Sequence, residues 1–258
     1  MNSYERFCFN LIGRGLKEKR GDYVSLRNDL VGARMNTPFE AYLATAYVSS
    51  VGVGLVAAML IGLFTYLLRI PEMITYRGAV PEFFYALNDY KLLLGTIIIT
   101  VLSLLIFGGI SYLIFLLYPG IRAGERRRNI DATLPYAINY VTAMSSAGIT
   151  PDEVFRLLGQ SKIYGESAVE ARYVSRETDF FGKDLLEALR TVSQATPSER
   201  MREFLQGSVA SISSGSNLTE YFRTKAHQYA LENNQQQKTF LETLGLIAEA
   251  YVTAMVAG

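Results

Sequence analysis

The chain has 258 residues, half of them hydrophobic, and a net charge of +1. So even a balance provides no basic field for nucleic acid. Its one cysteine, Cys8, allows neither an internal disulfide nor a cysteine-built zinc centre, and its one histidine, His227, excludes a multi-histidine metal site and argues against a His-dependent triad.

The first forty residues mix charges of both signs and lack a short apolar run before a small-residue cleavage site, so the N-terminus is read as retained. Tyr4, Phe7, Cys8, Leu11 and Ile12 recur at helical spacing, and Leu26, Leu30 and Ala33 do so again. These are short amphipathic helices, packed on a cytoplasmic domain or lying in the membrane interface.

Ala41 to Leu68 and Leu92 to Tyr118 contain no charged residue. Each exceeds the roughly 20 residues that cross a bilayer, so each predicts a complete transmembrane helix within residues 41–118. Basic residues cluster outside the pair: Arg14, Lys17, Lys19, Arg20, Arg27 and Arg34 before it, Arg122 and Arg126–Arg128 after it. The loop 69–91 carries three basic and three acidic residues. Basic flanks stay in the cytoplasm, which predicts both ends inside and that loop outside. Ser50, Gly54, Ala58 and Gly62 form a small-residue stripe at four-residue spacing. The stripe suits close packing of helices in lipid, against the second span or another subunit.

Residues 119–240 carry nearly balanced charge and repeated helix signals without sustained strand alternation. Pro135 suits a first helical turn, and Ala137, Ile138, Val141 and Met144 continue one apolar face. Gly148 is placed to end that helix. Thr150, Pro151 and Glu153 read as an N-cap, a first-turn proline and the far side of a capping box. A helix from Glu166 to Gly182 places Val169, Tyr173 and Val174 inward, and another covers Lys183 to Ala195. Thr196, Pro197 and Glu199 repeat the capping logic, and Gly215 ends the helix that follows. A long helix from about Asn217 runs toward a third apolar stretch, Leu244 to Gly258, which contains Glu249. That stretch, within residues 241–258, reads as the opening of a further membrane helix in a longer protein. The fold class is therefore all-α: an integral membrane protein with two complete spans, an antiparallel bundle of five to six helices, and the start of a third span.

No phosphate loop, HExxH, GxSxG or kinase signature occurs, and neither long apolar span holds an Asp, Glu, His, Lys or Arg side chain. Asp152 and Glu153 sit in a first helical turn, where the macrodipole favours them. The pattern points to a non-enzyme without a cofactor, one that holds or moves something.

Three stretches taken together resemble a known family. "LPYAINYVTAMSSAGITPDEVFRLL" resembles the opening hairpin of the type II secretion system F domain, "GKDLLEALRTVSQATPSERMREFL" its central helix pair, and "GSNLTEYFRTKAHQYALENN" the helix leading back to the membrane. The resemblance covers Ala132 to Gly258 and looks most like the archaeal branch, found in platform proteins of type IV pilus-like, tight-adherence and archaellum machines. It implies an inner-membrane scaffold, favoured as a dimer, that couples a hexameric secretion ATPase to pilin-like subunits, with no catalytic residue. Candidate ATPase-facing or lipid-facing cations are Arg126, Arg127 and Arg128, with Arg156, Lys162, Arg172, Arg176, Lys183 and Arg190 on the bundle. Two other classes fit less of the sequence. They are a membrane-anchored adaptor or signalling bundle without a motor, and a half-transporter, which would need more than Ser, Thr and Tyr inside its spans.

Overall fold

A computed structural model of the chain describes residues 3–13, 15, 21, 23–69 and 91–257. Among them all regular structure is helical, in two compact units, Met1–Ala123 and Gly124–Gly258. The loop between the two long apolar stretches, apart from its end residues Arg69 and Lys91, lies outside the described residues, as do Arg14, Lys17, Lys19 and Arg20.

The first unit holds α1 (Ser3–Cys8), a π-helical turn (Phe9–Gly13), α2 (Val24–Gly32), α3 (Phe39–Leu67) and the first part of α4 (Lys91–Ser146). The N-terminal helices pack on the start of α3: Cys8, Leu26 and Leu30 are buried against Phe39, Tyr42 and Leu43. The small-residue stripe faces α4. A Cβ on Gly54 would lie 3.0 Å from the Leu104 carbonyl and 3.3 Å from the Gly108 Cα, and one on Gly62 would lie 2.6 Å from Thr100 Oγ1. Away from this contact Met59, Leu60 and Leu63 are exposed. Such side chains are at home in lipid. α3, α4 and the C-terminal helix are each long and apolar enough to cross a membrane.

α4 is one continuous helix of 56 residues, and Pro119 and Pro135 lie inside it. Pro135 therefore does not open a helix. Proline removes one N–H from the ladder and leaves the carbonyl four residues earlier without its donor. For Pro119 that carbonyl is Phe115 O, which the Tyr42 hydroxyl takes up at 2.7 Å. Tertiary repair of this kind allows a proline inside a long helix.

The second unit combines the rest of α4 with α5 (Pro151–Gln160), a 3₁₀ turn (Lys162–Tyr164), α6 (Gly165–Asp179), α7 (Leu185–Ala195), α8 (Glu199–Ser213) and α9 (Leu218–Ala257). Each helix sends an apolar side chain to one core, among them Ile138, Phe155, Val174, Leu189, Phe204 and Phe222. Gly148 and Gly215 end their helices with φ of +83° and +69°, a backbone region that favours glycine.

Two caps differ from the sequence reading. Thr150 is the N-cap of α5 and Pro151 follows it, but the Thr150 side chain makes no capping bond, and the Glu153 carboxylate pairs with Arg156 instead. Ser198, not Thr196, caps α8: its Oγ accepts from the Met201 N–H at 3.1 Å. Thr196 instead closes α7, with its hydroxyl buried. Pro197 separates these two hydroxyl residues, and Glu199 becomes the first helical residue rather than a capping-box partner.

α5 and α6 run antiparallel at backbone contact. A Cβ on Gly159 would lie 2.9 Å from both N and Cα of Arg172. Backbone cannot swing aside as a side chain can, so Gly159→Ala forces the helices apart. Overpacking of this kind costs about 1–3 kcal/mol. Thermal unfolding of the detergent-solubilised chain checks it; an unchanged midpoint would show that the close approach carries no strain.

Candidate functional site

The most constrained polar feature of the second unit joins α4 to α6. Arg126 is 9% exposed, and its Nε and Nη2 donate to Glu166 Oε2 at 2.9 and 2.8 Å. Nη2 also donates to Glu170 Oε1 at 2.9 Å, and Glu170 has no exposed surface. One turn further along α4, Ser167 Oγ lies 2.8 Å from the Thr133 hydroxyl and 3.2 Å from the Ile130 carbonyl oxygen that accepts its hydrogen bond. The local reason is the buried face of α6, built from Ser167, Ala168, Glu170, Ala171 and Val174. Small side chains bring the backbones close enough for a long guanidinium to span two carboxylates one helical turn apart. Burial opposes the charge on Arg126, but Glu170 and Glu166 outweigh it and hold its pKa above the usual arginine value.

This cluster removes Arg126 from the exposed cations that sequence placed together. It also contains Glu166 and Glu170, which sequence reading passed over. Their signal was an i,i+4 carboxylate pair set among Ser and Ala on one helical face. Val169 and Tyr173, expected inward, are only half-buried.

Several of the other basic candidates are held by partners within the domain. Arg127 reaches Asp131 at 3.9 Å. Arg156 sits between Glu153 and Asp179, with Asp179 Oδ1 at 2.9 Å. The Asp179 hydrogen bond raises the Arg156 pKa, and Arg156 in turn holds the Asp179 carboxyl below its ordinary value. Arg172 donates Nε and Nη2 to the Gly159 carbonyl at 3.1 and 3.0 Å, closing the C-terminus of α5. Arg176 lies 4.6 Å from the Tyr173 ring centroid, and Lys183 Nζ lies 2.9 Å from Glu177. Arg128, Lys162 and Arg190 are exposed.

At the other end of α6 the chain turns through Phe180, Phe181 and Gly182. Phe180 is 84% and Phe181 64% exposed. The turn is fixed from several sides. Gly182 has a φ of +65°, the Lys183 N–H donates to the Glu177 carbonyl at 3.2 Å, and Asp184 caps α7 by accepting from the Glu187 N–H at 2.7 Å. The Arg176 guanidinium lies 5.8 Å from the Phe181 ring centroid.

Among the described residues, no three His, Cys, Asp or Glu side chains are placed to hold a metal ion. An interior void of about 10 Å³, lined by apolar groups of α4, α5, α6 and α8, is about the size of one water.

Residues 137–258 match the family model of type II secretion system (T2SS) protein F. Three proteins of Methanocaldococcus jannaschii are similar to the chain. Uncharacterized protein MJ1286 is 30% identical over 145 residues, covering 56% of this chain and 24% of the relative. Flagella accessory protein J is 27% identical over 178 residues, covering 64% and 32%. Uncharacterized protein MJ0780 is 30% identical over 113 residues, covering 44% and 32%. The chain thus spans about a quarter to a third of the length of these relatives. No solved structure matches it. Residues 137–258, within the second unit, are therefore similar to type II secretion system protein F, and the chain is similar at low identity to one archaeal flagella accessory protein.

Proposed function

We propose that this chain is part of a membrane platform that assembles a type IV pilus-like filament or archaellum. The observation that carries the reading is the run of helices matched from residue 137 onward to T2SS protein F, on a chain with three helices long and apolar enough to cross a membrane. The likeness to a flagella accessory protein points the same way.

In this reading α3 and α4 cross the inner membrane with both outer flanks in the cytoplasm. Residues 119–240 form the cytoplasmic module, and residues 241–258 begin a return to the membrane. The module couples a hexameric secretion ATPase to pilin-like subunits in the membrane, with a dimer as the working unit. The exposed Arg127 and Arg128 follow the second apolar stretch closely and are suited to anionic headgroups. The buried Arg126 cluster fastens α6 to the part of α4 within the second unit, giving that domain an internal tie on which a motor can act. The protein contributes positioning and force transmission rather than bond chemistry.

The test is binding of the purified hexameric secretion ATPase from the same genome to the full chain in lipid nanodiscs. Saturable binding with micromolar or tighter affinity is expected. An absence of binding at tens of micromolar ATPase, in both low and moderate salt, would count against the platform reading and favour an adaptor without a motor.

A further inference from the structure

We propose that the Phe180–Phe181 turn is the knuckle that engages the motor protein, entering an apolar pocket with lysine and arginine on its rim. This rests on the platform reading above and assigns that reading a contact surface.

Several observations converge on the turn. Two consecutive phenylalanines project from the domain, at 84% and 64% exposure, where polar residues would join α6 to α7 equally well. Exposed aromatic pairs are what interface anchors consist of before the partner arrives. The turn is also held before binding by the glycine conformation, the Lys183 to Glu177 backbone bond, the Asp184 cap and the Arg176 guanidinium beside Phe181. A prefixed anchor loses little conformational entropy on docking.

Charge selects the occupant. The corner formed by α5, the end of α6 and the start of α7 carries Asp152, Glu153, Glu177, Asp179, Asp184 and Glu187. Against them stand Arg156, Arg176 and Lys183, each already paired with one of those carboxylates. The surplus is negative, which suits a basic pocket rim and repels anionic lipid. The turn also lies at the opposite end of α6 from Glu166 and its Arg126 partner, about 20 Å away at 1.5 Å per residue.

The experiment compares variants of the full chain in nanodiscs against the same secretion ATPase. The double variant Phe180→Ser/Phe181→Ser is expected to weaken binding tenfold or more with an unchanged thermal midpoint, because neither ring belongs to the core. Glu187→Lys is expected to slow association and flatten its salt dependence. Ile163→Ser removes an equally exposed apolar side chain, at 86% exposure, from the other end of α6 and is expected to leave binding unchanged. If the wild type binds and the double variant binds equally well, the knuckle is wrong and the platform reading stands. If the wild type does not bind, both fall. A double variant that instead changes the oligomeric mass of the chain, or its partition onto anionic vesicles, with ATPase affinity intact, assigns the surface to a second copy or to lipid and overturns the proposal.

Discussion

Arg126→Met is expected to destabilise the chain by about 3–5 kcal/mol, the usual consequence of removing one partner from a buried ion pair. The cost comes mainly from what stays behind. Glu170 has no exposed surface, and without the guanidinium 2.9 Å away its charge is left in the interior. Restoring a match should restore stability. Arg126→Met combined with Glu170→Leu replaces charge by apolar volume, and such replacements are often neutral. Glu166, with its side chain 32% exposed, can turn to solvent. Thermal and denaturant unfolding of the single and double variants in detergent measures the coupling. A double variant as unstable as the single would show that packing at this site, rather than charge, carries the cost.

Phe204→Ala is expected to cost about 3–5 kcal/mol, at the upper end for a buried aromatic side chain. Phe204 is 2% exposed and lies 5.5 Å from the Phe222 ring centroid and 6.2 Å from that of Tyr221. Its carbonyl accepts the Tyr221 hydroxyl at 3.0 Å, and Tyr221 lies over Gly207, where a Cβ would meet Oη at 2.1 Å. This group fastens α9 to α8. Phe204 also lines the small interior void, so truncation enlarges an existing space. The same unfolding assay decides: a loss under 1 kcal/mol would mean that the neighbouring rings close the gap.

Much of the architecture is legible from local physics. Uncharged runs mark α3 and α4, and Gly148 and Gly215 mark helix ends because left-handed backbone there favours glycine. Other features depend on partners far along the chain. Pro119 reads as a boundary until Tyr42, more than seventy residues earlier, supplies the hydrogen bond to Phe115. Thr196 and Ser198 are equally good caps on paper. The path of the chain around Pro197 brings the second hydroxyl, not the first, to the Met201 N–H. Arg126 reads as one of three surface arginines, since nothing nearby in sequence announces carboxylates 40 and 44 residues later. Glu170 stays hidden for the same reason. The exposed Phe180–Phe181 pair cannot be told from core residues by composition alone.

The spacing within the Arg126 cluster also has a consequence for synthesis. The carboxylates that enclose this arginine are translated 40 and 44 residues after it. At about 5–20 residues per second, a ribosome reaches them some seconds after Arg126 has been made. During that interval the nascent chain presents three consecutive arginines just beyond its second apolar stretch, which in the topology proposed above orient the chain during insertion. When α6 folds back, one of the three is withdrawn into the domain. On that proposal one residue acts twice in the life of the chain, first as a topogenic charge and then as an internal fastener.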